Sequence, residues 1–179
     1  MKPDYSNWLN VTDFVPREDQ TCIIDEILRI YHEKKCGVFF IHGPQGCGKS
    51  MIQLLLAKKI TKKDQEPNLC NTFNPTHPGE SFISLYEEVA PSKEAPLIVV
   101  LEEADIILNH VHAGDIPRHK SLPVLISNKT SWNQFFDLFD RGYYPWVIMI
   151  LTSNVKPEVI DKLDRSYMRE GRINKIIKM

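Results

Sequence analysis

The chain lacks most of the features that would place it by composition alone. Charge of either sign is not in excess: 22 Lys and Arg stand against 23 Asp and Glu, a formal net charge of -1. Without a global basic field to draw in a polyanion, the simplest argument for nucleic-acid binding falls away, and only a local patch remains. Paired cysteines are missing too. Cys22, Cys36, Cys47 and Cys70 are widely spaced with no C-x-x-C pair. Neither a zinc knuckle nor a disulfide framework is indicated, and a reducing intracellular setting, cytoplasmic or nuclear, fits best. The longest apolar run, Trp146 to Leu151, is far short of the ~20 residues a bilayer-spanning helix needs. Met1 to Ser6 lack the apolar core of a secretion signal. Repeats and low-complexity tracts are absent. What is left, 179 residues of which 42% are hydrophobic and 25% charged, fits one domain of ordinary soluble composition.

Against that plain background one stretch stands out: Gly43-Pro44-Gln45-Gly46-Cys47-Gly48-Lys49-Ser50. It reads G-x-x-x-x-G-K-S, a phosphate-binding loop. The glycines let the backbone wrap an anion so that successive N–H groups point at phosphate oxygens. Lys49 reaches the β- and γ-phosphates, and the Ser50 hydroxyl is placed to ligate Mg²⁺. The spacing predicts a strand before it, over 37–42, and a helix after it, beginning near Met51 and running to Lys59. That helix turns its N-terminal N–H groups toward the phosphates.

Elsewhere the pattern alternates. Arg17 to Lys35 reads as a helix with Ile23, Ile24, Ile27, Leu28 and Tyr31 on one face. A short strand is expected within 68–74, a loop at Pro75 to Gly79, and a helix over 80–89. Pro96 to Leu101 is a continuous apolar run, as in a strand covered on both faces. A long connector is expected from Asn109 to Thr130, with a short element at 122–126. Ser131-Trp132-Asn133-Gln134 fits a capping box that opens a helix ending at Arg141-Gly142. Trp146 to Thr152 reads as another buried strand. Pro157 suits the first turn of a helix reaching about Met168, and 172–178 reads as a last strand. Alternation of this kind predicts a parallel α/β sheet.

Two strand ends carry chemistry. Leu97 to Leu101 runs into Glu102-Glu103, and carboxylates at the C-terminal end of a buried strand are what a phosphate-loop enzyme needs. Glu102 is placed to hold Mg²⁺, and Glu103 to orient and deprotonate an attacking water. Trp146 to Leu151 runs into Thr152-Ser153-Asn154, where an uncharged amide can bond the γ-phosphate or the water. Read singly, Glu102-Glu103 is also a solvated acidic turn, and Asn154 a helix cap.

With the segment Leu163-Asp164 through Met168-Arg169-Glu170-Gly171-Arg172 added, the whole order resembles the AAA group of AAA+ ATPases over about residues 36–178. Gly43 to Ser50 looks like Walker A, Leu97 to Glu103 like Walker B, and Thr152 to Asn154 like sensor 1. Gly79-Glu80-Ser81 looks like the opening of the helix after the pore loop, and the last segment is similar to the one carrying arginine fingers. The resemblance implies a three-layer P-loop fold with a mostly parallel five-stranded sheet in the order 5-1-4-3-2. It implies ATP and Mg²⁺ as cofactors, held by Gly43 to Met51 with Ser50 and Glu102 on the metal. It also implies Glu103, Asn154, Arg169 and Arg172 as catalytic, with both arginines acting in trans within a ring-forming homo-oligomer, usually a hexamer. A segment over 1–35 would lead into a core over 36–179 with no C-terminal helical lid.

Three departures bear on function. Glu102 stands where most such enzymes have Asp, and the usual pore aromatic is replaced by His77. The connector also carries His110, His112, Arg118, His119 and Lys120, where His110-x-His112 lacks the further ligands of a metal site. Val15-Pro16-Arg17-Glu18-Asp19-Gln20 resembles a stretch of origin-initiator AAA+ proteins that helps hold adenine, and equally an acid-rich helix start. The leading expectation is an ATP-hydrolysing module remodelling a protein or DNA client. An initiator-like switch on DNA, a P-loop kinase and a non-hydrolytic ATP-gated scaffold remain as alternatives.

Overall fold

The computed structural model describes residues 15–62 and 67–179. Residues 1–14 of the expected leading segment over 1–35, and residues 63–66, lie outside them. Five parallel strands form one sheet: β1 (Cys36–His42), β2 (Leu69–Cys70), β3 (Leu97–Leu101), β4 (Val147–Ser153) and β5 (Lys175–Lys178). Their order is β2-β3-β4-β1-β5, the 5-1-4-3-2 arrangement read from its other edge. β4 is the middle strand, paired in register from Cys36↔Val147 to His42↔Ser153 on one side and from Leu97↔Val147 to Leu101↔Leu151 on the other.

Why the central strands read as unbroken apolar runs is visible in where alternate residues go. Val38 and Phe40 enter one packed layer, and Phe39 and Ile41 the other; Val99 and Leu101 part from Ile98 and Val100 in the same way. Side chains alternate across a strand, so a strand covered on both faces favours apolar residues at both positions. The face carrying Phe39 is covered by α1 (Glu18–Lys34) and α2 (Lys49–Ile60), through Ile24, Ile27, Tyr31, Ile52 and Leu56. The opposite face is covered by α3 (Phe82–Val89), α4 (Ala104–Ala113), α5 (Lys129–Asp140) and α6 (Pro157–Leu163), followed by a 3₁₀ turn over Arg165–Met168. Phe82 is the hub of this second layer, with ring contacts to Phe73, Phe135, Phe139 and Tyr144. Truncating a large buried ring of this kind typically removes about 3–5 kcal/mol of stability.

Several boundaries differ from the sequence expectation, three of them for a visible local reason. The connector does not begin at Asn109, because α4 continues to Ala113 with Val111 buried; it ends where Gly114 takes a positive φ of 75° and closes the last turn onto His110 and Val111. Ser131 is not the cap of α5. Asn128 is, accepting from Ser131 N, while the Ser131 hydroxyl bonds back to the Asn128 backbone as the third residue of the capping box. The helix from Pro157 breaks at Asp164, which is extended and whose carboxylate accepts from Ser166 N at 2.8 Å. A local side-chain bond of this type competes with the helical ladder and restarts the turn as 3₁₀. The last strand begins at Lys175 rather than Arg172. The short element expected over 122–126 takes the form of an antiparallel bridge, Pro78↔Val124, tying the two loops together. No helix among the described residues is long and apolar enough to cross a membrane.

Candidate functional site

The site lies at the C-terminal end of the sheet, where β1, β3 and β4 each deliver a polar segment. Parallel strands end on the same side, and the middle position of β4 puts its terminus between the other two. Gly43 N donates to Ser153 O at 3.2 Å, so the end of β4 fixes the first residue of the phosphate-binding loop. A Cβ at Gly43 would lie 2.7 Å from the Met179 carbonyl oxygen, so only glycine fits that approach. Gly46 and Gly48 take φ of 79° and 100°, a left-handed geometry that glycine adopts without steric cost. Gly48 is then the N-cap of α2, whose first residue is Lys49.

Lys49 Nζ sits at the loop's mouth and donates to the carbonyls of Gly43 at 2.8 Å and Pro44 at 2.9 Å. One cavity of about 320 Å³ is lined by Gln45, Gly46, Gly48, Lys49, Ser50 and Met51 from the loop. Its remaining lining is Glu102 and Glu103 beyond β3 and Thr152, Ser153 and Asn154 from β4. The residues present fit a nucleotide phosphate chain with its cation. The loop offers N–H donors and an ammonium group, and two exposed carboxylates face them across the cavity. Among the described residues no group of three His, Cys, Asp or Glu could hold a metal by itself. Ser50, Glu102 and Glu103 line the cavity with oxygen atoms of the kind Mg²⁺ takes where it is shared with substrate phosphates.

The two carboxylates are held differently. Glu102 Oε1 accepts from Gln53 Nε2 at 2.9 Å. Glu103 is the N-cap of α4 with φ 52° and ψ 44°, a left-handed conformation rare for a side chain of its size, and its backbone N–H donates to Thr152 Oγ1 at 3.3 Å. Asn154 is exposed and does not cap α6; Lys156 occupies that cap. His42, the last residue of β1, is buried, and burial pushes its imidazole below the usual value, with Lys178, Lys156 and Lys49 adding to the shift and Glu158 opposing it.

The arginines of the C-terminal segment are not equivalent. Arg172 is 8% exposed. It donates to both oxygens of Asp137, at 2.7 and 3.1 Å, and to the Ser166 carbonyl at 2.6 Å. In this structure the Arg172 guanidinium is held by its own chain, where it ties the C-terminal segment to α5. Arg169 has a half-exposed side chain, bonds Asp137 Oδ1 at 2.8 Å and lies 3.7 Å from Asp140. Gly171 lets the backbone turn between them: its φ is 95°, and a Cβ there would meet the Asp140 carboxylate at 2.7 Å.

Sequence reasoning missed the contacts from the start of α1. Arg17 Nη2 donates to Cys47 O at 2.7 Å while its guanidinium pairs with Asp19, and Gln20 Nε2 approaches Gly48 O at 3.5 Å. The initiator-like stretch thus lies against the phosphate-binding loop. Gln53 was also missed, being one polar residue in a segment read only as a helix following the loop. A second cavity, about 600 Å³, shares Glu102 and Glu103 and is walled by His77, Ile106, His110 and Asp115. His110 and His112 stand on α4 rather than in a loop, and His112 Nδ1 lies 3.1 Å from the Tyr167 hydroxyl.

Comparison with known proteins accords with this geometry. A family model, the ATPase family associated with various cellular activities (AAA), matches residues 39–179. Among solved structures the chain is similar to the Aeropyrum pernix ORC2 protein, determined as ADPNP-ADP complexes, with a TM-score of 0.55 at 12% sequence identity. The match covers 96% of this chain and 50% of that one, so the chain spans about half the length of that relative. A likeness at this identity speaks for the fold alone. A comparison with curated proteins found no match.

Proposed function

This chain belongs to the AAA family of ATPases, and we propose that it binds ATP with Mg²⁺, hydrolyses it, and couples the cycle to remodelling of a macromolecular client. One observation carries the reading: three segments far apart in sequence, Gln45 to Met51, Glu102-Glu103 and Thr152 to Asn154, line a single cavity. The loop N–H groups and Lys49 hold the phosphates. Ser50 and Glu102 hold the cation, which when bound neutralises charge on the phosphate oxygens. Glu103 accepts a proton from the attacking water, and the Thr152 hydroxyl fixes the backbone from which Glu103 projects. Asn154 holds the water or the γ-phosphate through its amide.

Arg169 supplies a positive charge to the site of a neighbouring copy, which makes turnover depend on assembly. Elsewhere an arginine lent in this way is worth about 10³–10⁵ in rate. A ring of identical subunits, six in the family's usual form, satisfies that geometry. The Glu103→Gln variant tests the core of the reading: ATP binding is kept and phosphate release lost, whereas normal hydrolysis would overturn the assignment of the base.

A second reading, an origin-initiator-like switch acting on DNA, draws on the contact of Arg17 and Gln20 with the loop at Cys47 and Gly48. Stimulation of phosphate release by duplex DNA at low salt supports it. An ATPase rate indifferent to DNA ends it.

A further inference from the structure

The helix after the phosphate-binding loop carries a buried polar side chain that the mechanism above does not use. Gln53 is 4% exposed and lies on α2 among Ile52, Leu55, Leu56 and Ala57. A helix needing only to pack would carry an aliphatic residue there, because a buried amide must find partners for both its donor and its acceptor. Gln53 finds half of them. Its Nε2 donates to Glu102 Oε1 at 2.9 Å. Its Oε1 is buried with no hydrogen-bond partner among the described residues. The reversed amide would set a carbonyl oxygen against a carboxylate, so the donor orientation is the sound one. The fold therefore tolerates an unsatisfied acceptor, which disfavours stability, while one oxygen of Glu102 is held.

Glu102 has one more torsion than Asp and is exposed, so its carboxylate would otherwise sample several positions. It lines the same cavity as Lys49 and Ser50. Resting on the reading of Glu102 as the carboxylate that faces the cation, we infer that Gln53 is a positioning residue for it. The amide pins one carboxylate oxygen and so fixes where a Glu, in place of the shorter Asp, presents its charge to a magnesium-bound nucleotide. The helix that carries Ser50 in its first turn thereby also sets the other protein ligand, and the two move as one unit.

The test measures binding of a fluorescent ATP analogue to the intact chain with Mg²⁺ and with EDTA, alongside thermal melting. Gln53→Leu is expected to leave binding in EDTA unchanged and to reduce the enhancement by Mg²⁺ about tenfold, the lower end of what losing a ligand-orienting partner does. Its melting temperature should hold or rise, because the orphaned acceptor is gone. In a Glu102→Asp background the same substitution should change little, since the shorter carboxylate no longer reaches Gln53. If Gln53→Leu keeps the full Mg²⁺ enhancement while Glu102→Gln loses it, the amide is only packing, and the inference falls with the metal reading intact. If Glu102→Gln itself keeps the enhancement, the metal reading falls and the inference with it.

Discussion

Arg172 grips Asp137 at two points, Nε to Oδ1 at 2.7 Å and Nη2 to Oδ2 at 3.1 Å, joining the C-terminal segment to α5. Arg172, then Arg169, holds the Asp137 carboxyl below its ordinary 3.8, against an opposing effect of burial. Because the folded-state value is the depressed one, the pair stabilises fully above the ordinary value, and its contribution fades as pH falls through the native one. Asp137→Ala leaves Arg172 buried without its counter-charge and should cost about 3 kcal/mol, read from urea unfolding at neutral pH. The gap between variant and parent should narrow in acid, below the ordinary carboxyl range. Equal unfolding midpoints at neutral pH would show that the pair contributes nothing.

Arg169 shares Asp137 but remains half exposed. Subunits carrying Arg169→Ala, mixed with subunits carrying Lys49→Ala, should recover phosphate release that neither shows alone. The reason is that mixed neighbours can pair an intact loop with an intact arginine. Absence of recovery across mixing ratios, with assembly confirmed by mass, would place the arginine outside the reaction. Arg172→Ala should instead behave as a stability variant.

The brace from α1 onto the loop makes a separate prediction. Arg17→Ala removes a charge-assisted bond to Cys47 O and should weaken ATP binding about 3- to 10-fold. Arg17→Lys should recover part of it. Unchanged affinity in Arg17→Ala, measured by calorimetry, would make the contact incidental.

Glu103 occupies left-handed backbone at φ 52°. Glu103→Gly relieves that conformation and should match or exceed the parent's stability by about 1 kcal/mol, while abolishing turnover. A clear loss of thermal stability would mean that the Glu103 side chain, and not its strained backbone, matters to the fold.

Much of this was legible in the sequence, and the rest was hidden for identifiable reasons. The strand order was implied by the resemblance to AAA ATPases, and the convergence of Lys49, Glu102, Glu103 and Asn154 by motifs placed at the ends of parallel strands. The end of α4 was not legible, since Asn109, His110 and His112 look like loop residues, and only the burial of Val111 carries the helix past them. Asn128 was overlooked as a cap because Ser131, three residues on, carries the more familiar signal. The roles of Arg172, Arg17 and Gln53 depend on Asp137, Cys47 and Glu102, partners dozens of residues away, and no local pattern announces such pairings.

From Asn154 to Arg169 the backbone runs through one short helix and one 3₁₀ turn, with Pro157 at the near end and the kink at Asp164 between them. On the roles proposed for Asn154 and Arg169, what a subunit registers about its own nucleotide and the cation it would lend a neighbour sit on a single articulated lever. A shift at the inner end has few joints in which to dissipate before it reaches the tip. Succession of firing around an assembly would then need no messenger beyond this one span of polypeptide.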